Sequence, residues 1–176
     1  MLVVLRLGHR LPRDERITTH VALVARAFGA DKLVYAGQHD SGFEDSVKKI
    51  VSNWGGDFTA EYSKNPLKTA KEYKKSGYRI AHLTMYGIPL QEKEDELRKS
   101  LNLLVIVGAE QVPADFYGIA DYNVAVTSQP HSEVAALAVA LDRIMAGREL
   151  SRAFSSRFSG KLEIMPSEKS KNLRRL

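Results

Sequence analysis

The sequence contains no cysteine, which excludes disulfides, thiolate metal sites and cysteine nucleophiles. It also lacks any apolar run approaching the roughly 20 residues that a helix needs to cross a bilayer. The N-terminus is apolar only briefly before charged residues follow, unlike a secretory signal. We therefore expect a soluble, cytoplasmic protein. Because 44% of the residues are hydrophobic and 27% are charged, we expect a packed core rather than disorder.

Several common nucleotide-binding and catalytic motifs are missing. There is no GxxxxGK[ST] loop, no GxGxxG after the first predicted strand and no GxSxG turn. These absences disfavour ordinary nucleotide triphosphatases, Rossmann dehydrogenases and serine hydrolases of the α/β class. The five histidines also show no tight ligand spacing, so no metal site is predicted; they are His9, His20, His39, His82 and His131.

Acidic residues are scarce at the C-terminal end. Eight basic and only three acidic residues lie between positions 148 and 176, so this tail carries the whole net charge of +5. A basic tail on a neutral globule favours a polyanionic partner, although a solvated terminus would have the same composition. We predict one domain over residues 1–147 and a basic C-terminal extension over residues 148–176.

Strand-like and helix-like patterns alternate from Leu2 to Ala146. Residues 2–7 form the first predicted strand, and a charged loop over residues 8–16 precedes a helix capped by Thr18 or Thr19. A later strand over residues 78–85 should end in a turn over residues 86–89. This alternation predicts an α/β fold in which a parallel sheet carries helices on both faces.

Two buried strands end in polar loops. The aliphatic run over residues 103–107 enters a loop from Gly108 to Pro113, and the strand over residues 122–126 enters a loop over residues 127–132. In open parallel sheets, ligands bind where loops leave the carboxyl ends of the strands. The helix that follows, over residues 133–146, is apolar on most faces, and a second copy of the chain would cover it.

Three segments together resemble one family. Residues 25–30 (ARAFGA), 103–113 (LLVIVGAEQVP) and 122–144 (YNVAVTSQPHSEVAALAVALDRI) are similar, in order and in residues, to the three motifs of the SPOUT (class IV, α/β-knot) methyltransferases. The N-terminal block over residues 5–30 is most similar to archaeal members that methylate the ribose of cytidine-56 in the T-loop of tRNA. The resemblance covers residues 1–145.

The resemblance implies several properties. It implies that the C-terminal part of the sheet is tied in a trefoil knot, a rare exception to unknotted topology. It also implies a homodimer that packs through the first and third motif helices, with tRNA as substrate and S-adenosylmethionine as cofactor. The residues expected to bind the cofactor are Leu83, Gly108, Ala109, Glu110, Gln111, Val112, Val126, Thr127, Ser128, Gln129 and Pro130.

The reaction that the resemblance implies is attack of a ribose 2′-hydroxyl on the cofactor methyl group. A sugar hydroxyl is a weak acid, so a base or a cationic group must assist. In similar enzymes an arginine of the first motif does so, but here that position aligns with Leu23. We predict that Arg16 takes this role and that Ser132 positions the substrate. Glu110 could face the sulfonium or the ribose, or could cap the short helix that follows.

Two alternatives stay open from the sequence. The chain could be a non-catalytic RNA-binding α/β module, or a SPOUT methyltransferase that acts on rRNA. In any of these cases the basic tail, Arg10 and Arg13 are candidates for phosphate contacts. A lysine-rich helix face could add to them or could serve solubility alone; it contains Lys68, Lys71, Lys74 and Lys75.

Overall fold

The computed structural model of this protein describes residues 1–108 and 111–176. Its centre is a six-stranded sheet in the order β3-β2-β1-β5-β4-β6, and every neighbouring pair is parallel. These strands are β1 (Leu2–His9), β2 (Lys32–Gly37), β3 (Thr59–Ser63), β4 (Arg79–Pro89), β5 (Leu103–Val107) and β6 (Tyr122–Ala125).

Three helices begin where the sequence supplies a cap. The side chains of Asp40, Asn65 and Ser132 accept hydrogen bonds from the first-turn amides of the helices that follow them. The helices are α1 (Glu15–Ala27), α2 (Ser41–Trp54), α3 (Pro66–Lys75), α4 (Glu94–Arg98), α5 (Ala114–Ile119), α6 (Glu133–Met145) and α7 (Arg152–Ser155), with 3-10 turns at Leu90–Glu92 and Arg148–Leu150. None of the helices in the described ranges is long and apolar enough to cross a membrane.

Both faces of the sheet are buried, which confirms the predicted α/β fold with a parallel sheet between two layers of helices. Side chains alternate across β1, so Val4 packs in the core beneath α1, α2 and α6, whereas Val3 and Leu5 pack in the core beneath α3 and α5. All five residues of β5 are buried, as expected for a strand at the centre of a sheet with two covered faces.

Two predicted boundaries were wrong. Helix α1 begins at Glu15, inside the predicted charged loop, and Thr18 does not cap it, because the Thr18 hydroxyl lies 2.7 Å from Nδ1 of His9. Strand β4 continues through the predicted turn over residues 86–89. Both Leu83 and Ile88 stand opposite Val124 of β6, so the chain between them bulges out of the ladder and then rejoins it.

The C-terminal tail forms a second, separate sheet. Strands β7 (Leu162–Met165) and β8 (Asn172–Arg175) pair antiparallel, and β8 was not predicted because its sequence is mostly polar. The tail packs against the end of α1, where a Cβ atom on Gly29 would lie 2.7 Å from the ring of Phe154. Arg26 stacks over the Phe158 ring at 4.7 Å, which links α1 to the tail.

Candidate active site

A cleft of about 890 Å³ opens at the carboxyl edge of the sheet. Arg6 of β1, the middle of β4 (residues 82–86) and the end of β5 form its floor, and the start of α6 and the segment before α1 form its sides. This is the edge at which ligands bind in parallel α/β sheets. The two loops chosen from the sequence do meet there, because the strands that precede them are parallel and lie on either side of β4.

More than half of the predicted site residues line this cleft. They come from the end of β4, the loop after β5 and the loop before α6, which are far apart in the sequence. Those that line it are Leu83, Gly108, Gln111, Val112, Gln129, Pro130 and Ser132.

Other predicted residues lie elsewhere. Val126 packs against the core, and Thr127 and Ser128 are exposed outside the cleft lining. Ala109 and Glu110 lie outside the described residues. Arg16 stands on the first turn of α1 in a separate hollow beside the start of α2, lined also by His20 and Asp40. Within one chain, therefore, the structure does not bring Arg16 to Ser132.

Gly108 shapes the apolar part of the cleft. A Cβ atom at this position would overlap the Cγ2 atom of Val112, so a larger residue here would displace the Val112 side chain from its place beside the end of β5. Leu83, Val107 and Val112 then present an apolar wall next to exposed backbone. A wall of this kind suits a flat, uncharged ring such as a nucleobase.

A polar network that the sequence did not reveal lies at the end of β4. His82 is fully buried, and its Nδ1 lies 2.9 Å from Oδ1 of Asn123. The amide of Asn123 donates to the carbonyl of Tyr117, whose hydroxyl lies 3.1 Å from that of Thr84. Burial lowers the pKa of His82, and the hydrogen bond with Asn123 only partly opposes this effect. His82 is therefore a neutral group in the cleft lining, in contact with the edge of the Tyr117 ring.

A buried ion pair was also missed. Arg6 is only 1% exposed within β1, and its Nη2 donates to Oε1 of Glu133 at 2.8 Å. Both residues line the cleft. Burial raises the pKa of Glu133, and the positive charge of Arg6 opposes that rise. A single charge inside the apolar run LVVLRL was the one available signal, because an arginine placed there must find a partner.

The segment before α1 supplies further charges to the cleft. Arg10 holds Asp14 through its Nε at 2.9 Å and its backbone amide at 3.1 Å. Burial raises the pKa of Asp14, but these hydrogen bonds and the charge of Arg10 outweigh it, so the pKa is lowered. Arg13 also lines the cleft. His9 is buried behind them, 3.3 Å from Asp40. Among the described residues, no three metal-ligating side chains cluster.

Comparison with known proteins places this chain in a family. Residues 54–174 match the model of a family described as tRNA ribose 2′-O-methyltransferase, aTrm56. The chain is 52% identical to a tRNA (cytidine(56)-2′-O)-methyltransferase of Methanopyrus kandleri, over 99% of this chain and 96% of that protein. It is 51% identical to the protein of the same name from Thermococcus kodakarensis, over 100% of this chain and 98% of that one.

Solved structures are similar in fold. The TrmH/SpoU tRNA modifying enzyme of A. aeolicus superposes with a TM-score of 0.64 at 18% identity, over 90% of this chain and 80% of that one. The SpoU methyltransferase AviRb of Streptomyces viridochromogenes, in complex with its cofactor AdoMet, superposes with a TM-score of 0.56 at 15% identity, over 83% of this chain and 57% of that one.

Proposed function

This chain belongs to the family of tRNA ribose 2′-O-methyltransferases, and on that premise we propose that it methylates the ribose of cytidine-56 in tRNA. The observation that carries the proposal is the cleft, which joins an apolar wall to a set of charged and hydroxyl groups. An apolar wall suits a nucleobase, and the polar groups suit a ribose and its phosphates. The enzyme would act in the cytoplasm.

The cleft residues fit S-adenosylmethionine. Leu83, Gly108 and Val112 give the cleft an apolar part, and Gln129 and Pro130 line the same cleft. The other residues predicted to bind this cofactor, including Glu110, remain part of the proposal. When bound there, the cofactor supplies an activated methyl group, so the protein needs mainly to orient the two reactants and to accept a proton.

Ser132 and Arg16 have different positions in this scheme. Ser132 lines the cleft, and its hydroxyl accepts a hydrogen bond from the amide of Val134, so it fixes the start of α6 beside the ribose. Arg16 lines another hollow of its own chain and does not reach the cleft of that chain. If it assists the reaction, it does so in the cleft of a partner subunit, and we propose that arrangement. Arg26 is excluded from that role because it donates to the carbonyl of Gly55 at 2.6 Å and stacks on Phe158.

The same scheme requires a homodimer. Helices α1 and α6 pack together within the chain, yet Leu23 on α1 and Val139 on α6 are 40% and 44% exposed. Burying these apolar side chains against a second copy would remove them from water. A trefoil knot in the C-terminal part of the sheet is also part of the proposal, and its support is the resemblance of the three motif segments to the SPOUT family.

The tRNA needs basic contacts beyond the cleft. Arg10 and Arg13 line the cleft entrance, and the β7–β8 tail carries exposed basic side chains; those in the tail are Lys161, Lys169, Lys171 and Arg175. Cations of this kind would contact backbone phosphates and hold the substrate without reading its sequence. In this scheme residues 148–176 form an extension that binds tRNA, and residues 1–147 form the domain that catalyses methyl transfer.

The test is direct. The protein is incubated with S-adenosylmethionine and an unmodified tRNA transcript, and nuclease fragments are analysed by mass spectrometry. We expect one methyl group on the ribose of cytidine-56. A transcript with 2′-deoxycytidine at that position is the matched control, since it lacks only the attacked hydroxyl. Methylation of a base, or equal methylation of the control, would refute the proposal, and methylation of rRNA alone would favour the alternative substrate.

A further inference from the structure

The cleft contains two carboxylates among its described lining residues, Asp14 and Glu133. Asp14 is already engaged, because its Oδ2 accepts two hydrogen bonds from Arg10. A carboxylate held in this way gives up basicity, in keeping with the lowered pKa of Asp14. Asp14 is therefore a poor acceptor for a substrate proton.

Glu133 is held differently. Its Oε1 accepts a hydrogen bond from Nη2 of Arg6, so Arg6 fixes one oxygen and Oε2 is the oxygen offered to a substrate. The side chain is 18% exposed and lines the cleft, so a substrate can reach it. The charged groups around it are Arg6 from β1, and Arg10 and Asp14 from the segment before α1. Burial nevertheless keeps the pKa of Glu133 above its ordinary value, so it binds a proton more readily than Asp14 does.

Apart from its ion pair with Glu133, Arg6 makes little use of its donors in the core. It occupies a strand position where its neighbours in register are Tyr35 and Val107, and its Nε is buried without a partner among the described residues. Its other contact is a 3.3 Å hydrogen bond to the carbonyl of Leu7. The desolvation penalty of a buried guanidinium can exceed the free energy that its attraction to a carboxylate returns. Stability of the fold alone therefore does not explain an arginine at this position. Its position is best explained by the carboxylate that it orients.

We propose that Glu133 is the general base that accepts the ribose 2′-hydroxyl proton, and that Arg6 is the positioning residue that aims it. The inference rests on the proposed function. The 2′-hydroxyl gives its proton to Oε2 of Glu133 while its oxygen bonds to the methyl carbon and the carbon–sulfur bond breaks. The hydroxyl becomes a methyl ether, the sulfonium becomes a neutral thioether and the carboxylate becomes a carboxylic acid, so charge and atoms balance.

This assignment leaves a separate role for Arg16. A guanidinium has five donors and no acceptor, and it stays protonated in proteins, so it cannot take up the proton. It can only stabilise negative charge that develops on the ribose oxygen. A carboxylate that accepts the proton and an arginine that stabilises the oxygen are compatible in one site.

The decisive variant is Glu133→Gln, which keeps the size of the side chain and an acceptor for Arg6 but cannot take a proton. We expect its single-turnover methylation of tRNA to fall at least about 100-fold, the usual contribution of a general base. Calorimetric affinity for S-adenosylmethionine and the affinity for tRNA should stay within about threefold of the original. The acidic limb of the pH–rate profile should disappear in this variant. An unchanged rate, or an acidic limb that persists, would overturn the assignment.

Arg6→Met tests the positioning role. Removing the guanidinium should raise the pKa of Glu133 further, so the acidic limb should move to higher pH. The double variant Arg6→Met with Glu133→Gln removes both charges and avoids leaving a buried charge unpaired. If Glu133 is the base, the double variant stays inactive even though its thermal stability recovers. Recovery of activity would show that the pair serves only the fold, and would overturn the proposal.

The matched control is Glu94→Gln. Glu94 is 14% exposed and pairs with Arg98 at 2.7 Å, so it resembles Glu133 in burial and pairing but lies outside the cleft lining. It should retain the full rate. The original protein is assayed on the same transcripts. If it places no methyl on any ribose, the proposed function fails together with this inference. If it is active and Glu133→Gln is equally active, only the assignment of the base fails.

Discussion

A Cβ atom on Gly108 would overlap the Cγ2 atom of Val112, so the Val112 side chain packs directly against the backbone at the end of the central strand. Gly108→Ala should therefore displace Val112 and weaken binding of S-adenosylmethionine at least about tenfold, as overpacking forces neighbouring groups to shift. The double variant Gly108→Ala with Val112→Ala removes the overlapping atom and should recover part of the affinity. Isothermal calorimetry measures both. Equal affinity of the single variant and the original protein would contradict this account of the pocket.

The buried pair of His82 and Asn123 predicts how stability depends on pH. Burial lowers the pKa of His82, so the folded protein prefers the neutral imidazole. The stability that it contributes is fully present above the unfolded value of 6.5 and is lost as the pH falls through the lowered folded value. The free energy of unfolding therefore declines as the pH falls from 6.5 to the lowered folded value. His82→Gln should make that decline smaller. Denaturant titrations at several pH values test this.

His20→Gln is the control for that experiment, because His20 is exposed on α1. It should leave the pH dependence of stability as it was. His9 is a second buried histidine with a lowered pKa, chiefly from burial and then from the charge of Arg6. The free energy of unfolding of the His82→Gln variant should therefore still decline somewhat at acid pH. A pH dependence that is identical in the His82 variant and the original would contradict the assignment.

The fold could be predicted from the sequence because hydrophobic periodicity reports burial. The run at residues 103–107 is buried along its whole length, as its composition indicated. The start of α1 was missed because residues 10–16 are charged and resemble a loop. The contact of Arg10 with Asp14, which organises that turn, is not visible in a pattern of polarity. Strand β4 was cut short for a similar reason, since its second part pairs with residues that come much later in the chain.

The site could be predicted only in part. Its loops were found because parallel strands place their carboxyl ends on one edge. Its two buried polar pairs were not found, because the partners in each pair are remote in sequence. Arg6 pairs with a residue 127 positions away, and His82 with one 41 positions away. A single sequence indicates that a buried charge needs a partner, but the tertiary structure decides which one.

The exposed apolar residues on α1 and α6 predict a dimer interface. A single charged substitution at either helix should therefore dissociate the dimer. Leu23→Glu or Val139→Glu would bury a carboxylate in the proposed interface, at a cost of several kcal/mol. We expect either variant to sediment as a monomer at micromolar concentration while keeping its circular dichroism spectrum. Leu101→Glu is the control, since Leu101 is 90% exposed and lies on neither helix. Dimers that persist in both helix variants would move the interface elsewhere.

The basic tail predicts a change in the salt dependence of tRNA binding. Replacing the exposed bases of the hairpin with glutamine should weaken tRNA binding and reduce the slope of log affinity against log salt by about 0.7–0.9 for each phosphate that the variant no longer neutralises. The bases to replace are Lys161, Lys169, Lys171 and Arg175. Filter binding at several salt concentrations measures the slope. The same replacement at Lys68, Lys71, Lys74 and Lys75 is the charge-matched control. If the control lowers the slope as much as the tail variant does, tRNA binding depends on the total positive charge of the protein and not on the hairpin in particular.

The position of Arg16 predicts that each active site is completed by two subunits. Arg16 and Ser132 lie in different hollows of one chain, so Arg16 can assist methyl transfer only in the cleft of a partner subunit. Arg16→Ala should abolish turnover but leave binding of S-adenosylmethionine intact, and Glu133→Gln should be similarly inactive. When the two inactive variants are unfolded together and refolded as a mixture, about half of the dimers pair one of each, and each mixed dimer has one intact site. Activity should then return to about a quarter of the original. Sites made within one chain would instead leave every subunit of the mixture with one defect. A mixture as inactive as its parents, with mixed dimers verified by mass spectrometry, would place the acting arginine in the same chain as Glu133.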